Sequence, residues 1–452
     1  MGRITLQQAA QWCGGKIDPK YKDVTFFGGC NDTRKLKAGE LFVALQGARD
    51  GHEFIPAALE KGAAAVLCTH CDGDYPAIVV KDTRIALGDI ARNERKRLGV
   101  KVVGITGSVG KSTTKEMVAS VLASTYRVSK TPVNHNNDIG MPMAILAMPE
   151  DTQVAVLEMG MNHFGEIAYL SGIACPNVAV ILNIGTMHIE HLGSMEGILQ
   201  AKLEILEGME PGGRVILNGD DSLLWNLRNT IEHVEYFGVS NDFCAVVASN
   251  VTQAEDKLSF DVYAQEKTLH VNLPLEGEHY VPDALAAVSV GLALVVTAEN
   301  ICQSLALFQN MEGRQEIFRA GEYTIIKDCY NAGPESMAAA LSVLGTKSGR
   351  RIAVLGEMLE LGFCTPAEHY KIGRIAAEKA DMVFAYGPNS DRVLSGAVTG
   401  GMPDGRVSAY EDRQKLVKAL RLAVKPGDVL LFKGSRGMRM DEILDQFLNQ
   451  EK

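Results

Sequence analysis

No stretch of the 452 residues approaches the roughly 20 consecutive apolar positions that a membrane-spanning helix requires. The start, Met1 to Gln8, lacks a basic segment followed by an apolar run, so the cytoplasm is the expected compartment and no membrane span is expected. Positive charge is in deficit: 45 Lys and Arg stand against 55 Asp and Glu, a formal net charge of -10. A general nucleic-acid binder needs a basic surface to meet phosphates. Nucleic acid and anionic membranes are therefore poor partners, and any phosphate ligand must be held by local groups. The nine cysteines are scattered. Cys68 and Cys71 form a C-x-x-C with no second pair to complete a zinc site, and we read all nine as reduced thiols. Only 15 prolines, no low-complexity linker, no fixed-period repeat and no G-x-G-x-x-G fingerprint are present.

A hydrophobic fraction of 46% and a charged fraction of 22% describe an ordinary folded chain. At roughly 150 residues per domain the length suggests about three domains. Between Leu41 and Val80 short apolar runs alternate with a helical stretch near Pro56 to Lys61, which predicts a small α/β unit. A helix over about Ile85 to Arg97 leads into a longer series with strands at Val102 to Thr106, Val154 to Glu158, Val178 to Ile184 and Val215 to Asn218. Helical patterns lie between them, so a mostly parallel sheet with right-handed crossovers is expected. Short alternating strands over Val246 to Leu273 predict a hairpin-rich edge, followed by a helix near Ala284 to Val296. After Gly313-Arg314 the α/β rhythm restarts, with strands at Tyr323 to Lys327, Arg351 to Leu355, Met382 to Tyr386 and Val429 to Phe432, a Rossmann-like pattern.

The sharpest local signal runs from Val103 to Thr113: an apolar strand, the turn Gly107-Ser108-Val109-Gly110, then Lys111-Ser112-Thr113 opening a helix. Glycines let backbone N–H groups approach phosphate oxygens, the helix start adds positive potential, Lys111 neutralises charge and the Ser112 hydroxyl can ligate magnesium. The general phosphate-loop pattern wants glycine six residues before the lysine, where this chain has Ile105, so the loop is a variant. Glu158 ends a buried strand, where a carboxylate can hold magnesium on nucleotide phosphates or merely be solvated. His188 follows another strand, as a catalytic group or as an ordinary loop histidine. Lys202 falls on the apolar stripe of its helix, beside Ile198, Leu199, Ile205 and Leu206. Burial would lower its pKa and make the amine reactive, open to forming a carbamate with carbon dioxide. The competing reading, which the pattern alone favours, lays the stem on apolar surface and lets the ammonium snorkel out.

These segments together resemble the Mur ligases along nearly the whole chain. The resemblance runs through Asn31 to Lys35 and Gly39 to Gly47, the phosphate loop, Asn134 to Gly140, Leu157 to Gly160, His188 to Glu190, Ala201 to Ile205, Gly313-Arg314, Asp328 to Ala332, Leu355 to Gly362 and Lys433 to Arg436. The variant phosphate loop is the form usual in that family. The resemblance implies three domains: 1–83 binding a UDP-carried substrate, 84–312 binding ATP, and 313–452, Rossmann-like, closing over ATP and binding an incoming dipeptide. It implies ATP and Mg2+ as cofactors, with nucleotide held by Gly107 to Thr113, Asn137, Arg314 and Asp328. Ser112, Glu158, His188 and a carbamylated Lys202 would hold metal. Lys111, Glu158, His188 and Lys202 would form the catalytic group. Thr33, Arg34, Lys433, Ser435 and Arg436 would contact the other substrates. The implied reaction joins D-alanyl-D-alanine to UDP-N-acetylmuramoyl-tripeptide through an acyl-phosphate, in a cytoplasmic enzyme expected to be a monomer. Two rivals remain: a neighbouring ligase that adds a different residue, whose typical Asp-Asn-Pro-Arg motif is not found here, and a nucleotide-binding regulator that has lost ligation. The chain departs from the family at Tyr280 and Asp283, where asparagines are usual near the adenine, and at Cys329 and Gly333.

Overall fold

The structure, a computed structural model, describes residues 4–254 and 257–449. Near the amino terminus the strands Gly29–Cys30, Leu41–Val43, Ala65–Cys68 and Ala77–Val79 form a four-stranded, all-parallel sheet in that order. Side chains alternate across it. Leu41, Val43, Ala65, Leu67 and Ile78 enter a large core with Leu6 and Ile90, whereas Phe42, Val66, Cys68 and Ala77 pack on Ile55 and Ala58 on the other face. Burial on both faces is why these strands read as continuous apolar runs.

The helix Thr83–Leu98 joins this unit to the next. Asp82 caps it by accepting from the N–H groups of Arg84 (2.8 Å) and Ile85 (3.0 Å), and Gly99, at φ 63°, stops it just after Arg95, Lys96 and Arg97. It packs on the amino-terminal helix Leu6–Cys13 and on Gly140–Leu146 and Glu166–Ala174 of the central domain. The two units therefore share one core.

The central sheet has nine strands. In spatial order they are Lys267–Leu273, Lys257–Ala264, Val246–Ala254, Val234–Gly238, Arg214–Asn218, Val178–Ile181, Lys101–Thr106, Val154–Glu158 and Val128–Lys130. Antiparallel pairing is confined to the first three; the remaining pairings are parallel. Lys101–Thr106 lies between Val154–Glu158 and Val178–Ile181, and the chain leaves it to build strands on both sides. Its carboxyl end thus opens at the crevice where ligands bind in open parallel sheets.

The third sheet, Glu316–Ala320, Tyr323–Asp328, Val429–Lys433, Arg351–Leu355, Met382–Tyr386, Val407–Tyr410, is parallel apart from its first pair and carries an apolar core on each face. No helix among the described residues is long and apolar enough to cross a membrane, and all nine cysteines are free.

Candidate active site

A cleft of about 1020 Å³ opens where the central and third domains face each other, lined by the phosphate loop, Glu158, His188, Lys202, Asp283, Arg314, Asp328 and Lys433 among others. The phosphate loop is shaped by residues on both sides. Asn183 Oδ1 accepts from the N–H groups of Ser108 (3.0 Å) and Val109 (2.9 Å), and its Nδ2 donates to the Val109 carbonyl at 3.1 Å. Gly110, at φ 84°, starts the helix Lys111–Ala123, whose first-turn N–H groups have no intrahelical acceptor. These are the donors left to an anion. The Lys111 ammonium bends over the loop and donates to the carbonyls of Gly107 (2.7 Å) and Ser108 (3.2 Å).

Beneath the loop, the Ser112 hydroxyl donates to Glu158 Oε2 and accepts from Arg314 Nη2, both at 2.8 Å. Asn136 donates to the other Glu158 oxygen at 2.9 Å. A carboxylate, a hydroxyl and a guanidinium from two domains therefore meet at one point. Lys202 is 2% exposed at the end of Met195–Leu203, so the amine stays inside instead of snorkelling. Among the described residues no hydrogen bond or ion pair reaches it. Burial, and secondarily the Lys111 charge, push its pKa well below the usual lysine value. His188 sits at φ 66°, just before the short helix Ile189–Leu192 and seven residues beyond the strand that ends at Ile181. Its Nδ1 lies 2.7 Å from Glu360 Oε2 of the third domain. The carboxylate is off the N–H direction, so Nδ1 makes no well-directed hydrogen bond, although the imidazole holds the Glu360 carboxyl below its usual pKa.

Two other contacts dock the third domain, through Glu335 and Tyr330, and further bonds hold the cleft lining within each domain. Glu335 Oε1 accepts from the Thr186 N–H at 3.0 Å. The Arg314 guanidinium stands 4.1 Å from the centre of the Tyr330 ring, and Tyr330 Oη pairs with Asn134. Lys433, 2% exposed, donates to Asp328 Oδ2 (2.7 Å) and to the Asn331 carbonyl (3.0 Å). Asn137 lines the cleft and accepts from the Gly140 N–H at 2.8 Å.

The positions that depart from the family pattern have definite partners. Tyr280 Oη accepts from Asn310 Nδ2 (2.9 Å), which also donates to the Arg314 carbonyl (2.7 Å), so this tyrosine anchors the link into the third domain. Asp283 is 7% exposed and accepts from Thr114 Oγ1 at 2.9 Å; burial raises its pKa to about 7.

Four of the residues picked from sequence do not line the cleft. Thr33 and Arg34 lie on the first domain, where Arg34 forms a fork with Asp32 and the Thr33 carbonyl accepts from Lys61. Ser435 is buried, donating to the Ala332 carbonyl at 3.1 Å and accepting from the Leu359 N–H at 2.9 Å. Arg436 pairs with Asp441 near the surface. Asn136, Asn183, Tyr330, Glu335 and Glu360 carry no assigned role on the sequence alone. Asn136 adjoins Asn137 and Tyr330 lies two residues from Asp328, which is a usable signal; Asn183 and Glu360 act through contacts far apart in sequence.

The chain matches the Mur ligase family, catalytic domain, over residues 30–103, the Mur ligase middle domain over 105–291, and the Mur ligase, glutamate ligase domain, over 313–436. It is 39% identical, over 99% of both chains, to the UDP-N-acetylmuramoyl-tripeptide–D-alanyl-D-alanine ligase of Bacillus subtilis (strain 168). A crystal structure of MurF from Acinetobacter baumannii superposes with a TM-score of 0.92 at 32% identity, covering 100% of each chain. That of the Thermotoga maritima MurF ligase in complex with ADP gives 0.82 at 29% identity, covering 93% of this chain and 97% of that one. Matched from its first sheet to its last, this chain belongs to the Mur ligase family.

Proposed function

We propose that this protein joins D-alanyl-D-alanine to UDP-N-acetylmuramoyl-tripeptide at the expense of ATP, giving the nucleotide-linked pentapeptide, ADP and phosphate for peptidoglycan synthesis. The observation that carries this reading is the meeting of Ser112, Glu158 and Arg314 under the phosphate loop, in a chain alike from end to end to relatives that bear this ligase name. The terminal carboxylate of the tripeptide attacks the γ-phosphorus, the bond to ADP breaks, and an acyl-phosphate forms. The dipeptide amine then adds to the acyl carbon, loses a proton, and phosphate leaves.

Both steps bring anions together, so the chain's task is positioning and charge neutralisation, with no covalent nucleophile. The loop N–H groups and Lys111 hold the phosphates, and Arg314 brings a second cation from the third domain. Asn137 and Asp328 belong to the nucleotide's surroundings; Lys433, Ser435 and Arg436 belong to the third domain's ligand loop, and Thr33 and Arg34 to the uridine end. The division at 83/84 and 312/313 assigns these tasks to three domains.

The donor set fits Mg2+. Ser112 and Glu158 offer oxygens already in contact, and His188 offers a ring nitrogen. The Lys202 amine, unpartnered among the described residues and with its pKa pushed well down by burial, can take up carbon dioxide as a carbamate and so offer oxygens too. Bound there, Mg2+ would offset the charge of the phosphate oxygens. The cytoplasm, where the nucleotide substrates are, is the proposed compartment, and a monomer the proposed state. Mass spectrometry of a reaction with ATP, the nucleotide tripeptide and D-alanyl-D-alanine tests the reading: a product heavier by the dipeptide less one water supports it, and recovery of unchanged tripeptide refutes it.

A further inference from the structure

His188 and Glu360 come from different domains, and each is held in the left-handed backbone region, at φ 66° and 65°. That conformation is uncommon for residues with a side chain and persists only where the surroundings fix it. The surroundings do so on both sides. In the third domain the Met358 N–H donates to His369 Nε2 (3.1 Å) and the Leu359 N–H to Ser435 Oγ (2.9 Å), so the two residues before Glu360 are pinned. Two residues later Gly362, at φ 48°, packs so closely that an added Cβ would lie 3.0 Å from that of Glu190. On the central domain, the loop before His188 is held where Thr186 donates to Glu335. Two braced loops thus deliver one carboxylate oxygen to within 2.7 Å of His188 Nδ1, a buried nitrogen that makes no directed hydrogen bond among the described residues, so that a small turn of the imidazole ring suffices to pair the two.

We propose that Glu360 is a positioning residue for the His188 cation site: its carboxylate takes the Nδ1 side of the imidazole and leaves Nε2 for a divalent cation. Histidines that bind metal commonly give their other N–H to a carboxylate, which fixes the tautomer and the ring direction. Here the carboxylate arrives on the mobile partner in catalysis, so docking of the third domain and cation binding favour each other. It also gives Ser435 a task in this chain, holding the backbone next to Glu360. The proposal rests on the reading of His188 as a metal ligand, and its test separates the two.

The full-length protein is titrated with Mn2+ in the presence of bicarbonate and a non-hydrolysable ATP analogue, with free Mn2+ followed by electron paramagnetic resonance. Wild type is compared with Glu360→Ala, Glu360→Gln and His188→Ala. Losing an outer partner of a metal-bound histidine weakens metal binding by roughly 10–100-fold. Glu360→Ala is expected to weaken one class of Mn2+ by that factor, leaving the other class and the melting temperature as in wild type. Glu360→Gln, which keeps an acceptor oxygen, is expected to restore most of the loss. Glu360→Ala binding Mn2+ like wild type while His188→Ala loses a class overturns the role of Glu360 alone, as does a glutamine variant no better than alanine. Unchanged binding in His188→Ala overturns the metal reading and this proposal with it.

Discussion

Lys202 has no counter-ion among the described residues and is 2% exposed, lining the cleft. A buried ammonium is costly, so burial shifts the balance toward the neutral amine, the form that reacts with carbon dioxide. Enzyme stripped of carbon dioxide is expected to lose activity and regain it on addition of bicarbonate. Lys202→Ala should fall by about 10²–10³-fold, the scale of removing one group that stabilises developing charge, with no bicarbonate rescue. Initial rates with and without bicarbonate check both. Asp283 provides a pH test. Its carboxyl keeps a proton up to about pH 7 when folded, against 3.8 as the ordinary value. The unfolded chain releases that proton earlier, so folding stability from this group is full below pH 4 and is lost as pH rises through 7. Asp283→Asn should therefore melt like wild type near pH 4 and increasingly above it toward pH 8, as differential scanning calorimetry would show. At this scale the glycine-rich turn marked Lys111 and periodicity put Glu158 at a strand end and Lys202 on an apolar stripe, but for Lys202 that pattern alone favoured a snorkelling ammonium, where the structure buries the side chain. It could not disclose the Glu360 contact, since nothing local to Glu360 specifies a neighbour 172 positions away at His188.

The strand Lys101–Thr106, its loop and the helix Lys111–Ala123 act as one element. Gly110 is its tightest point: φ is 84°, and a Cβ would stand 2.4 Å from Asp283 Oδ1. Gly110→Ala thus meets both backbone strain and a buried carboxyl held by Thr114. A strained position of this kind costs about 1–3 kcal/mol. Calorimetric titration with ADP and Mg2+ should show affinity reduced on the order of tenfold or more at pH 7.5; binding equal to wild type would mean the loop has freedom that its packing denies. The element was legible in advance because an apolar run, glycines and a buried helical face follow one another within the span 103–122. Other elements were less so. The strand expected over Val178 to Ile184 stops at Ile181, because Leu182 to Gly185 turn away to support the phosphate loop through Asn183. The helix expected from Ala284 begins at Tyr280 and ends at Ala293, before Val295 at φ 62°. Val234–Gly238, Val407–Tyr410 and the helix Leu6–Cys13 went unread, being short and set by pairing or docking to distant segments.

Across the whole molecule, the cleft is assembled by docking: Arg314 onto Ser112, Glu335 onto Thr186, Tyr330 onto Asn134 and Glu360 onto His188. Closure of this kind excludes water from an acyl-phosphate and couples chemistry to domain movement. The succession of three α/β units followed from where α/β periodicity stops and restarts in the sequence. The shared core between the first sheet and the central domain did not, because it depends on how Thr83–Leu98 lies against both. Release of phosphate from ATP with Mg2+, measured with the nucleotide tripeptide and D-alanyl-D-alanine together and with each omitted, decides whether this chain ligates the two. Release that requires both substrates and matches the ligated product one for one is the predicted result. Release that continues without the dipeptide, or none with both substrates present, would contradict it.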